Sequence, residues 1–139
     1  MPLDRSTLKE GDSIPPYTFT PDLGLVIRYC GLGWNYTAIF YDEAAAKAQG
    51  MPGLMVPGPL KLGFLDRVVE DWLDGAGFVR HVRAAHRRPD LQGREITISG
   101  QVARLYEEDG KQRADIEMVV VNAEGQPSVR GFASVEFFT

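Results

Sequence analysis

The feature that most constrains this chain is a Pro/Gly-rich loop that runs directly into an amphipathic helix. The stretch over residues 52–73 reads PGLMVPGPLKLGFLDRVVEDWL. Pro57 cannot continue a helix, whereas Pro59 suits a first helical turn. We therefore predict that the helix begins near Gly58 or Leu60.

The predicted helix has one broad apolar face and a polar face opposite to it. At ~100° per residue, its large apolar side chains fall within about half of the circumference. They are Phe64, Leu65, Val68, Val69, Trp72 and Leu73. Gly75 and Gly77 then supply a stop signal. The helix from about Leu60 to Leu73 is thus expected to lie in the core.

Three strands joined by two short turns are predicted for the C-terminal part. Polar and apolar residues alternate over residues 96–106, 114–120 and 129–137. Turn-forming residues lie between them at 107–110 and 122–125, and residues 78–86 form an earlier extended segment. A long apolar helix followed by an antiparallel meander predicts an α+β fold, in which one sheet curls around a central helix. The length of 139 residues fits a single domain spanning residues 1–139.

The N-terminal part carries signals for shorter elements. Residues up to Pro16 are polar and rich in turn formers, and we expect them to lie along the surface. Residues 17–20 are predicted to form a short strand, and residues 22–31 a short helix with Asp22 as its N-cap. After an irregular aromatic segment, Asp42 caps a further short helix over residues 43–49.

Composition excludes several classes of protein. A net charge of -4 argues against a general nucleic-acid binder. A single cysteine, Cys30, excludes an intramolecular disulfide and fits a reducing compartment, so we expect a cytoplasmic protein with Cys30 as a buried, inert thiol. The sequence contains neither a secretory h-region nor about eighteen consecutive apolar residues, so no membrane association is predicted. Two histidines, His81 and His86, do not define a metal site, and we predict none.

Three segments resemble the MaoC-like hydratase/dehydratase family, which has the hot-dog fold. Residues 28–42, RYCGLGWNYTAIFYD, are similar to the family segment that ends in a His-Tyr-Asp type triplet before a short helix. Residues 50–60, GMPGLMVPGPL, are similar to the loop that precedes the hot-dog helix. Arg87-Arg88-Pro89 with Gly93 is similar to the link into the meander. The resemblance covers most of the chain in the family's order and implies a single hot-dog domain.

The resemblance implies a hydro-lyase that acts on (R)-type enoyl thioesters. In the family, an Asp or Asn and a His five residues later hold and activate water, and a backbone amide near the helix N-terminus polarises the thioester carbonyl. The matching positions are Asn35 and Phe40, with the backbone around Val56 and Gly58. Phenylalanine cannot take a proton from water, so the chain departs from the family at the His position. Pro57 replaces a second His found in many relatives.

Several residues are candidates for catalysis or for substrate binding. As catalytic residues we consider Asn35, Gly58, Asp42, Tyr36 and Tyr41; as substrate-binding residues we consider Trp34, Phe40, Val56, Pro57, Arg87 and Arg88. Asp42 is either a general base or a helix cap, and the tyrosines either donate hydrogen bonds or pack. Arg80, Arg83, Arg87 and Arg88 form one basic cluster, which is either solvated surface or a phosphate site. For His81 and His86 we favour partly exposed polar side chains over catalysts.

Two functions remain open from the sequence. In the first, the protein is an acyl-thioester hydratase/dehydratase whose active site departs from the family pattern because it lacks the family His. In the second, it is a non-catalytic subunit or thioester-binding protein that pairs with a catalytic MaoC-like chain. No separate cofactor is expected, because coenzyme A or acyl-carrier protein arrives as part of the substrate. The resemblance implies a homodimer or a heterodimer with a related hot-dog chain, and an exposed sheet edge gives a physical reason for pairing.

Overall fold

The structure, a computed structural model, describes residues 3–139. Met1 and Pro2, the first residues of the predicted domain, lie outside the described part. The helices are α1 (Leu23–Gly33), α2 (Glu43–Ala48) and α3 (Gly58–Leu73), with a short 3-10 helix at Ala38–Phe40. The strands are β1 (Ser13–Phe19), β2 (Gly77–His86), β3 (Ile96–Glu108), β4 (Lys111–Asn122) and β5 (Pro127–Phe137).

The strands form one antiparallel sheet in the order β1-β3-β4-β5-β2. Strands β3, β4 and β5 are adjacent and consecutive, which confirms the predicted meander. Strand β1 begins at Ser13, four residues before the predicted Tyr17, and its register shifts between Ile14 and Tyr17. The two prolines in between are tolerated because an edge strand needs hydrogen bonds on one side only. The expectation that Ser13–Pro16 would lie outside the sheet is therefore wrong.

Helix α3 lies in the core, as its apolar face predicts. Leu65, Val68, Val69 and Leu73 are buried, and Phe64 and Trp72 pack half-buried against the same cluster. Their partners are the inward-facing side chains of the sheet, among them Ile98, Ile116 and Val135. The α+β prediction of a curled antiparallel sheet around one central helix is confirmed.

Two glycines, on the strands that flank β4, let the sheet approach α3 and its own neighbouring strands closely. Gly100 of β3 pairs with Met118 of β4, and Met118 pairs with Gly131 of β5. A Cβ atom on Gly131 would lie 2.9 Å from Leu65 Cδ1. One on Gly100 would lie 2.9 Å from the Glu117 carbonyl oxygen. A side chain at either glycine would therefore collide with its neighbours, so both positions require glycine.

The two short helices are capped as predicted. Asp22 accepts a hydrogen bond from Leu25 N at 2.7 Å, and Asp42 accepts one from Ala45 N at 3.1 Å. Helix α1 ends at Trp34, which adopts a left-handed conformation with φ 50°. A left-handed residue at a helix C-terminus is usually glycine, so a tryptophan here is unusual.

Candidate functional site

A cleft of about 320 Å³ lies where α3 begins and β2 ends. It is lined by Val56, Gly58, Lys61, His86, Arg87, Arg88 and Pro89. Two larger clefts, of about 450 and 400 Å³, lie against the sheet and share Glu117, Met118 and Arg130. Two more, of about 420 and 530 Å³, lie along the N-terminal segment. None of these four is lined by an imidazole or by a helix N-terminus, so we place the candidate site at the start of α3.

The first turn of α3 presents backbone donors to this cleft. Pro57 is the N-cap and makes no side-chain capping bond, and Pro59 has no N–H. The N–H of Val56 donates to the Asp90 carbonyl oxygen at 2.9 Å and is therefore engaged. Because the first N–H groups of a helix have no partner within it, Gly58 and Leu60 supply the donors. A carbonyl oxygen or an anion is the natural acceptor at such a terminus.

A buried ion pair next to the cleft connects α3 with the loop after β2. Lys61 Nζ lies 2.9 Å from Asp90 Oδ2, and the two side chains are only 3% and 1% exposed. The other oxygen of this carboxylate, Oδ1, is buried without a hydrogen-bond partner among the described residues. Since Asp90 also accepts from Val56 N, it joins the start of α3 to the loop after β2 through both its side chain and its backbone.

His86, the last residue of β2, faces the N-terminus of α3. A Cβ atom on Gly58 would lie 3.2 Å from His86 Nε2 and 3.3 Å from Cε1, so the absence of a side chain at Gly58 makes room for the ring. Burial against the cleft lowers the pKa of His86, the nearby Lys61 ammonium lowers it further, and the Asp90 carboxylate opposes both. The imidazole is therefore neutral at pH 7.

The predicted basic cluster divides into two parts. Arg80 lies 3.5 Å from Glu136 in an ion pair, and the Arg83 guanidinium lies 4.4 Å from the centre of the Phe132 ring. Only Arg87 and Arg88 line the cleft. Their backbone N–H groups donate to the Ser128 carbonyl oxygen at 2.8 and 3.1 Å, which holds this corner against β5 while the side chains stay exposed.

The aromatic segment after α1 is ordered by its own polar contacts. Asn35 Oδ1 accepts from Thr37 Oγ1 at 2.8 Å, which leaves Nδ2 as the donor of this amide. The Tyr41 hydroxyl donates to the Tyr36 carbonyl oxygen at 2.6 Å, and Trp34 meets Tyr36 edge to face. These three aromatic rings are exposed rather than packed in the core. Asp42 uses Oδ1 to cap α2, which is one of the two roles considered for it.

Gln92 connects this segment to the loop before α3. Its Nε2 donates to the carbonyl oxygens of Phe40 and Met55 at 2.7 and 2.8 Å. Met55 N in turn donates to the Ile39 carbonyl oxygen at 3.2 Å. The two groups of predicted site residues are therefore neighbours, although none of residues 34–42 lines the cleft. The structure brings Val56, Gly58, Arg87 and Arg88 together and leaves Trp34, Asn35, Tyr36, Phe40, Tyr41 and Asp42 in the adjoining segment.

Sequence reasoning missed Lys61, Asp90 and Gln92, and it did not place His86 in the site, although this side chain is exposed as expected and lines the cleft. The sequence does indicate a special role for Lys61, because it lies one turn before Leu65 on the apolar face, where a charge needs a partner. Asp90 and Gln92 lie in a polar loop, where no local pattern distinguishes them from solvent-exposed residues.

The other titratable candidates lie outside the cleft. Cys30 is 3% exposed, and burial raises the pKa of its thiol, which suits the inert role expected for it. His81 is exposed on β2. Over residues 3–139 no group of three or more His, Cys, Asp or Glu side chains is arranged to hold a metal ion. In the same range, no helix has the length and apolar character to cross a bilayer.

Comparison with known proteins yields structural relatives only. No family model matches the sequence, and no curated protein matches it. The (R)-hydratase from A. caviae involved in PHA biosynthesis superposes with a TM-score of 0.87 and 20% identity, over 95% of this chain and 98% of that chain. A chain of the ChsH1-ChsH2 complex from Mycobacterium tuberculosis gives a TM-score of 0.84 and 18% identity, over 94% and 98%.

A third relative is the MaoC-like dehydratase from Rhodospirillum rubrum, with a TM-score of 0.83 and 18% identity over 98% of this chain and 97% of that chain. At these identities the likeness concerns the fold. The chain has the hot-dog fold, and its structural neighbours include MaoC-like dehydratases and (R)-hydratases.

Proposed function

We propose that this protein binds an acyl thioester of coenzyme A or acyl-carrier protein and takes part in the hydration of its 2-enoyl form, or in the reverse dehydration. The single observation that carries the proposal is the cleft at the start of α3, where uncapped backbone N–H groups meet an imidazole and two arginines. The hydratases and dehydratases among its structural neighbours support the same class of reaction.

The thioester carbonyl fits the N-terminus of α3. Addition of water to C3 moves negative charge onto the carbonyl oxygen, and fixed N–H donors stabilise such charge before it forms. Gly58 and Leu60 supply those donors, since Val56 N–H is already bonded to Asp90. In this proposal Val56 and Pro57 form the apolar wall beside the acyl chain; both are buried.

The arginines suit the phosphate groups of the thioester carrier. Arg87 and Arg88 have exposed guanidinium groups on a backbone that is held by Ser128. A guanidinium binds phosphate in a bidentate manner, and fixing its backbone reduces the entropy lost on binding. In this proposal, the phosphate groups of coenzyme A or of the phosphopantetheine arm of a carrier protein bind to these arginines at the rim of the cleft.

Hydration of a panel of trans-2-enoyl-CoA thioesters tests the proposal, with the loss of the conjugated enoyl absorbance as the readout. We expect turnover by the wild type. In Asn35→Ala, loss of an amide that orients water reduces kcat by roughly tenfold, about 1.4 kcal/mol in the barrier. Arg87→Ala/Arg88→Ala raises KM for the coenzyme A substrates, whereas the control Arg80→Ala, whose side chain pairs with Glu136, leaves KM unchanged.

A second function, that of a thioester-binding subunit, is favoured by the Phe40 position and by one structural neighbour. That neighbour is a chain of a complex between two named proteins, ChsH1 and ChsH2. By analogy, we expect this chain to pair with a related hot-dog chain that carries the Asp and His. Co-expression with such a chain separates the two functions: turnover that appears only in the co-purified complex supports the subunit, and turnover by the single chain supports the enzyme.

A further inference from the structure

The cleft contains one side chain that can both accept and return a proton near neutral pH, and it is His86. Asn35 is an amide and Phe40 has no polar atom, so the segment that matches the family dyad offers no base near pH 7 other than the capping carboxylate of Asp42. The arginines stay protonated. Lys61 is held in the buried ion pair with Asp90.

The position of the ring suits proton transfer next to a carbonyl. Its Nε2 edge faces the first residue of α3, with Nε2 3.2 Å from the place of a Cβ on Gly58. Since the ring lies beside Gly58, a thioester carbonyl held at the first turn of α3 has its acyl chain on the same side of the cleft as His86 in our proposal. The His86 side chain is exposed, which gives water access to the ring.

The charges around His86 favour its neutral form while the site is empty. Lys61 faces it from α3, Asp90 faces it from the loop, and Arg87 and Arg88 follow it directly. Three of these four groups are cationic, so they disfavour the imidazolium in the empty site, and negative charge that develops nearby favours it. The enolate that forms during water addition supplies that charge.

We propose that His86 is the proton-transferring residue of this cleft, an assignment that rests on the proposed function. Its neutral Nε2 removes a proton from water as the water oxygen bonds to C3. The C2–C3 π pair moves toward the carbonyl oxygen, where the N–H groups of α3 hold the enolate. The imidazolium then returns the proton to C2, which restores the thioester carbonyl and the neutral ring. Water is the only co-reactant, and the reverse sequence dehydrates the 3-hydroxyacyl thioester.

The substitution His86→Gln tests the assignment, with His81→Gln as a matched control on the same strand. Both side chains are exposed, so neither change disturbs the core. We expect kcat to fall about 10²–10⁴-fold in H86Q and to stay within about twofold in H81Q. In the wild type, kcat/KM falls with decreasing pH as His86 becomes protonated, because the base is then lost. This limb of the profile disappears in H86Q.

Nuclear magnetic resonance gives a readout that does not need turnover. The chain has only two histidines, so an untagged, 15N-histidine-labelled protein shows two imidazoles that H81Q assigns directly. We expect His86 to titrate at a pH below the usual range of an imidazole, because burial and the nearby Lys61 ammonium lower its pKa. Saturated butyryl-CoA, which cannot be hydrated, should shift the His86 resonances and leave those of His81 in place.

The outcomes separate the two proposals. If butyryl-CoA binds without moving the His86 resonances, or if H86Q retains wild-type kcat or its acidic limb, His86 does not transfer the proton and the thioester function stands. If the wild type neither binds butyryl-CoA nor hydrates any enoyl-CoA, the proposed function fails and the assignment of His86 fails with it.

Discussion

At the scale of single residues, we expect the largest loss of stability when one partner of the buried Lys61–Asp90 ion pair is removed. A charge that loses its partner in the interior typically costs about 3–5 kcal/mol. We expect Lys61→Met to lower the free energy of unfolding by about this amount, since it leaves the Asp90 carboxylate buried and unpaired. Urea denaturation followed by circular dichroism measures the change.

The same helix offers a matched control for this prediction. Arg67 and Asp71 form an exposed pair one turn apart, with 61% and 67% of their side chains exposed. Such pairs contribute about 0–1 kcal/mol, so Arg67→Met should have little effect. The double change Lys61→Met/Asp90→Asn should recover much of the loss, because it removes both charges. Equal losses for K61M and R67M would contradict the role given to the buried pair.

Prediction from sequence at this scale succeeded for local features and failed for distant partners. Asp22 and Asp42 were identified as caps because a cap contacts N–H groups only three residues away. The placement of His86 against Gly58 depends on how β2 returns past α3, a long-range property with no local pattern. Asp90 and Gln92 were not predicted for the same reason, because their hydrogen-bond partners lie far away in the sequence.

At the scale of elements, glycines decide how closely the backbone segments approach. A Cβ on Gly77, at the start of β2, would lie 2.3 Å from the Glu136 carbonyl oxygen, and a backbone atom cannot move aside as a side chain can. We expect Gly77→Ala to destabilise the fold by about 1–3 kcal/mol or more. Thermal unfolding measures the effect.

Gly63 is the opposite case within α3. A Cβ there meets nothing within 4 Å, and alanine is a better helix former, so Gly63→Ala should stabilise by about 0.5–1 kcal/mol. If G77A is as stable as G63A, the close approach of β2 and β5 at Gly77 does not have the rigidity described above.

The elements themselves were largely readable from periodicity. Helix α3 and the strands of the meander repeat their apolar residues over long segments, so their type was predicted correctly. The start of β1 was not, because Pro15 and Pro16 signal a turn in isolation and are tolerated only at a sheet edge. Helix α3 ends at Leu73, as predicted, and its left-handed C-cap is Asp74 with φ 46°, followed by Gly75 with φ 80°.

At the scale of the whole molecule, we expect one edge strand of the sheet to form an interface with a second chain. Strand β2 is an edge strand of ten residues. Phe78, on this strand, is 41% exposed and lies against Phe138, which is 53% exposed. We predict that the chain pairs through this edge, and that Phe78→Lys raises the dissociation constant about tenfold or more, since burying a Phe contributes about 1.5–3 kcal/mol.

Sedimentation equilibrium over a dilution series measures this association. Leu32→Lys is the control, because Leu32 is 87% exposed but belongs to α1. The prediction fails if the purified chain, alone and with a co-expressed hot-dog chain, is monomeric at micromolar concentration. It also fails if L32K weakens the association as much as F78K.

The contact between Leu65 and the bare backbone at Gly131 has a mechanical consequence. Leu65 Cδ1 would lie 2.9 Å from a Cβ on Gly131, so the spacing between α3 and β5 at this point depends on the size of residue 65. Gly131 pairs with Ala84 and Val129 pairs with His86, so we expect a change in that spacing to reach the end of β2 that holds the His86 ring. A conservative repacking deep in the interior, such as Leu65→Val, would thus tune a distance at the cleft without altering any group that lines it.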